Sequence, residues 1–340
     1  MSHLSEPFRL KGLELKNRVV LPPMCQYSVE NKDGIPTDWH YVHYVSRAVG
    51  GTGLIIVEMT DVEPAGRITD KCLGIWSDAH IPAFKQIVDG VHQHNCKIGI
   101  QIAHAGRKAE DAPMPVSATD QAFDEHWKKP RSLTTEEVRE MVESFRQAAV
   151  RAIQAGFDTI ELHGAHGYLI HQFHSPLINR REDEYGRDPA LFGEQVIQAV
   201  KSVMPEDMPL IFRISAVEYA EGGYDLDYSI EIAKRYQAAG VDMFHVSSGG
   251  EAPAAPGGGP SYGPGYQLPL AAAYKKALDT PIIAVGVLDD PKLAEAALRD
   301  GDTDLVAVGR GMLRDPYWTI HAQRALGDKV APPRQYERGY

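Results

Sequence analysis

Three side chains able to handle protons lie close together in the chain: His163, His166 and Tyr168 follow the alternating run 159–162. Such alternation predicts a strand, with His163 at its carboxyl end. If the chain turns there, the two imidazoles converge on one small atom. Two imidazole N–H groups can hold a carbonyl oxygen as negative charge develops on it, and a phenol is a proton source beside them. The stretch therefore indicates a site for proton-handling chemistry.

The same stretch leaves a metal site open as an alternative. Glu161 is followed in a short stretch by four histidines, which are His163, His166, His171 and His174. Imidazole is the commonest metal-ligating side chain. The spacing matches no zinc pattern with a known mechanism, such as two histidines at i and i+4 flanking a glutamate. We therefore assign no metal ligand, and we interpret His171 and His174 as residues of a following turn.

Composition narrows the class of protein. The 340 residues carry a net charge of −11 with a pI near 5.7, which argues against a general affinity for nucleic acid or anionic membranes. The charged segment 1–11 is not a secretory signal, and the longest apolar runs fall short of the ~20 residues of a membrane span. Three widely spaced cysteines suit a reducing cytoplasm. Small molecules are the expected partners.

Short runs rich in β-branched and other apolar residues recur along the chain, each followed by helical spacing. We count eight strands, at 17–21, 54–57, 98–102, 159–162, 210–214, 243–246, 282–285 and 305–308. The helix after the third strand illustrates the spacing between them, with hydroxyl and acidic caps at 134–137 and a stop near Gly156. Alternating strands and helices predict parallel strands joined by crossovers.

Polar residues then decide between a closed barrel and a doubly wound sheet. In barrels the functional groups cluster at the carboxyl ends of many strands, whereas a doubly wound sheet gathers them at one switch point. Here they follow nearly all eight strands: Met24, Cys25, Glu58, Gln101, His104, His163, His166, Arg213, Ser247, Ser248, Gly286, Gly309 and Arg310. We therefore predict a single (β/α)8 TIM barrel domain over residues 1–340.

The last two strand ends indicate a phosphate site. Gly286 and Gly309 let the backbone approach a ligand where barrels often hold a phosphate, and Arg310 would add charge-assisted bonds. Since no Gly-x-Gly-x-x-Gly follows a strand, a mononucleotide cofactor fits better than a dinucleotide.

Several motifs together resemble one family. They are the segments 22–27 (PPMCQY), 101–108 (QIAHAGRK), 163–169 (HGAHGYL), 308–310 (VGR) and 335–340 (QYERGY). In this order they resemble the Old Yellow Enzyme family of flavin-dependent ene-reductases, specifically its bacterial, xenobiotic reductase-like subgroup with a cysteine beside the flavin. The match runs from Phe8 to Tyr340.

The resemblance implies an FMN cofactor at the top of the barrel. Segment 22–25 would pass along the isoalloxazine, where the Cys25 thiol tunes its redox potential. The implied contacts are Pro22, Pro23, Met24, Cys25, the Met59 backbone, Gln101 at the pyrimidine edge, Arg213 near N1, and Gly286, Gly309 and Arg310 at the phosphate.

The resemblance also implies a reaction. NADPH or NADH would reduce the flavin first, and hydride would then pass to the β carbon of an activated alkene in a ping-pong sequence. His163 and His166 would bind the substrate carbonyl, Tyr168 would protonate the α carbon, and Tyr27 would line the substrate side. The choice of nucleotide stays open, because Arg107 and Lys108 suit either an extra phosphate or plain surface charge.

The carboxyl tail carries a further implication. In the cysteine-bearing subgroup an arginine near the terminus reaches into a neighbouring subunit's site, and Arg338 in the tail 331–340 matches it. We expect a homodimer or homotetramer with Arg338 contacting substrate. Two alternatives remain: a metal-dependent barrel hydrolase or lyase, and a flavin-binding sensor without turnover. The glycine- and proline-rich loop 249–265 would be either a lid or slack chain.

Overall fold

Eight parallel strands form the centre of the computed structural model, which describes residues 1–254 and 259–340. Each strand pairs with its neighbours in sequence, and β8 pairs with β1, so the sheet closes. The strands are β1 (Val19–Leu21), β2 (Leu54–Asp61), β3 (Lys97–Ala103), β4 (Thr159–Gly164), β5 (Leu210–Ser215), β6 (Met243–Ser247), β7 (Ile282–Val285) and β8 (Leu305–Ala307). The predicted TIM barrel is confirmed.

The barrel interior near the amino ends of the strands is filled by apolar side chains. Every strand alternates its side chains between faces, and the inward ones form a buried cluster that includes Ile56, Ile211, Met243 and Ile283. A hairpin (Phe8–Leu10 with Leu13–Leu15) packs onto this cluster and closes that end. The opposite, carboxyl end is therefore the open face.

Helices surround the barrel as the crossovers require. They are α1 (Asp38–Val49), α2 (Ile81–His92), α3 (Thr135–Ala155), α4 (Leu191–Lys201), α5 (Leu226–Ala239), α6 (Leu268–Ala277), α7 (Pro291–Arg299) and α8 (Trp318–Ala325). The predicted caps of α3 are present: Thr134 Oγ1 accepts the Glu137 N–H at 3.2 Å, and Gly156 ends the helix with φ +91°. None of the helices in the described ranges has the length and apolar character needed to cross a bilayer.

The strand ends differ from prediction chiefly at β2. This strand runs four residues further than its apolar core, to Asp61, and its register shifts between Val57 and Thr60. Glu58 consequently lies inside the strand. Short elements complete the loops: the helices Leu169–His174, Glu184–Arg187 and Arg310–Arg314, the strand Leu73–Gly74 on β2, and the pair Val116–Ser117 with Arg131–Ser132. Part of the predicted loop 249–265 lies outside the described residues.

Candidate active site

His163 stands at the carboxyl end of β4 with its side chain buried. Its Nδ1 accepts the Ala165 backbone N–H at 3.2 Å. A neutral imidazole that accepts at one nitrogen carries its proton on the other. Nε2 of His163 is therefore an N–H donor.

His166 occupies the turn after β4 in the left-handed region, with φ +61°, and Gly167 follows at φ +73°. Ser215 Oγ, at the end of β5, accepts the His166 backbone N–H at 3.1 Å, and His166 Nε2 lies 2.7 Å from the Ser247 hydroxyl of β6. Strained backbone of this kind persists only where the surroundings impose it. Strand ends β5 and β6 thus fix the position of His166.

The two imidazoles and the phenol come together as the sequence spacing indicated. The His163 ring is 5.1 Å from the His166 ring and 4.8 Å from the Tyr168 ring, centroid to centroid, each edge to face. Burial, followed by the charge of Arg213, holds the pKa of both histidines well below its usual range, and burial raises the pKa of Tyr168. The cluster therefore offers two neutral imidazoles and a protonated phenol.

His171 and His174 do not join this cluster. Both lie in the short helix Leu169–His174 rather than in a turn, with rings stacked 5.0 Å apart. His171 Nδ1 accepts the Gly167 N–H at 3.0 Å, and its Nε2 lies 3.1 Å from Glu218. Within the described ranges, the group whose ligand atoms lie close enough for a metal is His171, Glu218 and Glu251, not the four histidines considered from the sequence.

Arg107 and Lys108 are neither surface charges nor free phosphate ligands. Arg107 is fully buried and donates to Glu251, at 2.8 Å for Oε1. The Lys108 ammonium donates to the carbonyl of His166 at 2.8 Å and to that of Gly250. These two cations fasten the loop after β3 to the loops after β4 and β6.

A cavity of about 260 Å³ opens at the carboxyl end of the barrel. Its walls come from six strand ends, and it contains seven of the ten predicted cofactor contacts together with His166. The lining residues are Pro22, Pro23, Met24, His166, Arg213, Ser247, Tyr266, Gln267, Val285, Gly286, Val287, Asp289, Gly309 and Arg310.

The donors around this cavity suit a ligand with an anionic end. Arg213 is buried, and its Nε has no protein partner within the described part of the chain, although an orphaned buried donor is costly. A Cβ on Gly309 would lie 3.4 Å from Met24 Sδ, and Gly286 adopts φ +130°. Exposed Arg310 completes the rim. A ligand acceptor beside Arg213 and an anion near β7 and β8 fit this arrangement.

The segment with Cys25 is held in place by Glu58, which the sequence placed after the second strand without giving it a role in the site. Glu58 Oε2 accepts the Gln26 N–H at 2.6 Å, and Oε1 accepts the Tyr44 hydroxyl at 3.0 Å. Burial raises the pKa of Glu58 to about 8 and that of the Cys25 thiol well above its usual range. Glu58 therefore anchors the segment that carries Cys25 and Tyr27. A glutamate directly after the apolar run 54–57 was the available signal.

The remaining predicted residues lie around or outside the cavity. Met59 is buried in a small apolar cluster against which Cys25 and Tyr168 pack. Gln101 donates to Glu161 at 2.7 Å inside the barrel, and Tyr27 is exposed. Arg338 is exposed in the terminal turn Arg334–Gly339. The role of each stays a prediction.

Comparison with known proteins supplies the context for this geometry. The sequence profile of the NADH:flavin oxidoreductase / NADH oxidase family matches residues 3–329. The NADPH dehydrogenase of Listeria monocytogenes serotype 4b (strain CLIP80459) is 48% identical over 344 aligned positions covering both chains completely. That of Bacillus subtilis (strain 168) is 45% identical over 99% of each chain.

Two solved structures share the fold. Morphinone reductase superposes with a TM-score of 0.80 at 27% identity, covering 98% of this chain and 92% of its own. A 2-naphthoyl-CoA reductase complex superposes with a TM-score of 0.89 at 26% identity, covering 96% of this chain. This chain spans only 52% of that larger protein.

Proposed function

The chain belongs to the NADH:flavin oxidoreductase / NADH oxidase family, that of Old Yellow Enzyme, and from this we propose that it reduces the C=C bond of α,β-unsaturated carbonyl compounds. The resemblance seen in the sequence is thereby confirmed, and the protein is an NAD(P)H-dependent flavin oxidoreductase with FMN as cofactor. The observation that carries the proposal is the contact of His163, His166 and Tyr168 beside the cavity.

The cavity supports FMN as its occupant. When bound, FMN supplies hydride chemistry, accepting a hydride from NAD(P)H and delivering one to the β carbon of the alkene. Arg213 would offer its guanidinium to the pyrimidine side, and Gly286, Gly309 and Arg310 would hold the phosphate. The other proposed contacts are Pro22, Pro23, Met24, Cys25, Met59 and Gln101.

The histidine pair would bind the substrate carbonyl oxygen. As hydride reaches the β carbon, negative charge moves onto that oxygen, and preorganised N–H donors stabilise it. His163 Nε2 carries a proton because Nδ1 accepts the Ala165 N–H. If Ser247 donates its hydroxyl proton to His166 Nε2, then His166 Nδ1 carries the second donor proton.

Tyr168 would complete the reduction by protonating the α carbon. Its phenol remains protonated at neutral pH because burial raises its pKa, so the proton is available when the carbanion character develops. Tyr27 would contact the substrate from the exposed side.

NADPH is the proposed hydride donor. The full-length relatives from Listeria and Bacillus are named NADPH dehydrogenases. Arg107 does not supply the selectivity, because it is buried against Glu251.

The test compares two alkenes that differ only at the oxygen. Purified enzyme with NADPH should convert 2-cyclohexenone to cyclohexanone and leave 2-cyclohexen-1-ol unchanged, because the alcohol gives the histidines no carbonyl to polarise. Product analysis by gas chromatography decides. NADPH oxidation without cyclohexanone would reject the proposal.

A further inference from the structure

A polar layer lies inside the barrel directly above its apolar filling. Arg213 and His245 come two residues after the inward-facing Ile211 and Met243, so they point inward as well. Arg213 and His245 are paired in register between β5 and β6. Glu161 on β4 completes the layer, fully buried.

Glu161 links strands on either side of the layer. Its Oε1 accepts the Gln101 amide at 2.7 Å, and its Oε2 lies 2.8 Å from His245 Nδ1. The bond to His245 passes over β5 through the inside of the barrel. Since a carboxylate only accepts, Nδ1 of His245 carries the proton.

His245 adds no charge to this layer. Burial, reinforced by Arg213, holds the pKa of His245 below its usual value, so its ring is neutral. Its Nε2 is a buried lone pair without a hydrogen-bond partner within the described residues. The layer therefore contains one anion, Glu161, and one cation, Arg213.

The charge of Glu161 acts on Arg213 from the side away from the cavity. Burial lowers the pKa of Arg213, and Glu161 is the largest of the neighbouring charges that oppose this. Arg213 lines the cavity, whereas Glu161 and His245 do not. In a dry interior such a counter-charge cancels much of the field that the cation projects.

We propose that Glu161, oriented by His245, is a positioning residue that sets how much of the Arg213 charge reaches the flavin. This rests on the proposed placement of FMN against Arg213. Reduction places negative charge on the flavin, which the Arg213 cation would stabilise. The Glu161 anion weakens this stabilisation and so lowers the midpoint potential of the flavin. The Glu161–His245 pair thereby tunes the hydride transfer without touching substrate.

The first test removes the charge and keeps the shape. Glu161→Gln should raise the midpoint potential of bound FMN, measured anaerobically against reference dyes. Glu218→Gln is the matched control, because Glu218 is an equally buried glutamate beside a histidine, 3.1 Å from His171, outside the layer. An unchanged or lower potential in Glu161→Gln, or an equal rise in Glu218→Gln, would overturn the proposal.

The second test varies His245 and does not depend on the folding of the first variant. His245→Asn keeps an N–H donor for Glu161 and should hold the wild-type potential. His245→Leu removes the donor that orients Glu161, so the counter-charge acts less on Arg213 and the potential should rise. Equal potentials in these two variants would contradict the proposal. Enone reduction by the wild type is measured separately. It distinguishes failure of the Glu161 proposal from failure of the proposed function.

Discussion

In the proposed site the two histidines would act as neutral donors, because burial disfavours their protonated forms. His163 and His166 both have a pKa held well below the usual range, mainly by desolvation. A pair that stays neutral needs no proton exchange between turnovers. We expect kcat/KM for 2-cyclohexenone to show no inflection from imidazole titration between pH 6 and 8. A bell-shaped profile centred near pH 6.5 would contradict this.

Removing both imidazoles separates substrate binding from cofactor binding. The double variant His163→Ala with His166→Ala should lose about 10³-fold or more in kcat/KM for the enone, since each lost oxyanion donor costs about 10²–10³-fold. Its flavin absorbance should persist, because the proposed phosphate and pyrimidine contacts are made by other residues. Enone turnover at the wild-type rate in this variant would remove the carbonyl-binding assignment.

Tyr168 is tested by deleting one oxygen. Tyr168→Phe keeps the ring against His163 and should slow enone reduction by roughly 10²–10⁴-fold, the contribution of a positioned acid. Rapid-mixing spectroscopy should show flavin reduction by NADPH at the wild-type rate, which serves as the internal control. Equal slowing of both half-reactions would indicate a structural role instead.

At the scale of elements, hydrogen bonds from Arg107 and Lys108 hold the loops after β3, β4 and β6 together over the site. Gly250 adopts φ +95°, and a Cβ there would lie 2.5 Å from His166 Cα. Gly250→Ala should therefore displace His166, reduce enone turnover and destabilise the fold by about 2 kcal/mol or more. Unfolding in urea and steady-state assays measure both effects.

Gly222 provides the control for that variant. It also has a positive φ, +78°, but its nearest neighbour for a Cβ is Leu177 at 3.6 Å. Gly222→Ala should cost only about 1 kcal/mol of backbone strain and leave turnover intact. If both variants behaved alike, the close approach of Gly250 to His166 would have no functional weight.

Glu58, which holds the Cys25 segment, makes the stability of the fold depend on pH. Its pKa is raised from 4.5 to about 8 by burial, so the native protein keeps a proton that the unfolded chain releases. Stability from this group is full below about pH 4.5 and is lost as pH rises through about 8, a change on the order of 5 kcal/mol. Urea unfolding at pH 5 and pH 9 should show Glu58→Gln gaining on the wild type with rising pH. A constant difference would contradict this.

The strands and the strand-end residues could be predicted from the sequence, because both depend on local alternation and spacing. Residue pairs that meet across the barrel could not be predicted in this way. Arg107 meets Glu251 from 144 positions away, and Glu161 meets His245 from 84. Such pairs follow from strand register and from the paths of the loops, which alternation alone does not specify. The position of Glu58 depends in addition on the register shift in β2.

At the scale of the whole molecule, the tail prediction concerns two copies of the chain. Arg338 is exposed, while Tyr340 and Tyr336 rest near Arg324 and Tyr317. If Arg338 serves a neighbour's site, Arg338→Ala and the histidine double variant should each be weakly active alone. Mixing them with subunit exchange should restore activity to roughly a quarter of wild type, because half the dimers are hybrids with one complete site. No recovery in a dimer shown to exchange subunits would refute the tail contact.

The central claim is that one site takes hydride from NADPH and gives it to an activated alkene. An anaerobic absorbance titration of the purified enzyme tests it most directly. The flavin band should bleach on addition of NADPH and return in full on stoichiometric addition of 2-cyclohexenone. A band that bleaches with NADPH and stays bleached with the enone, returning only when air is admitted, would contradict the claim.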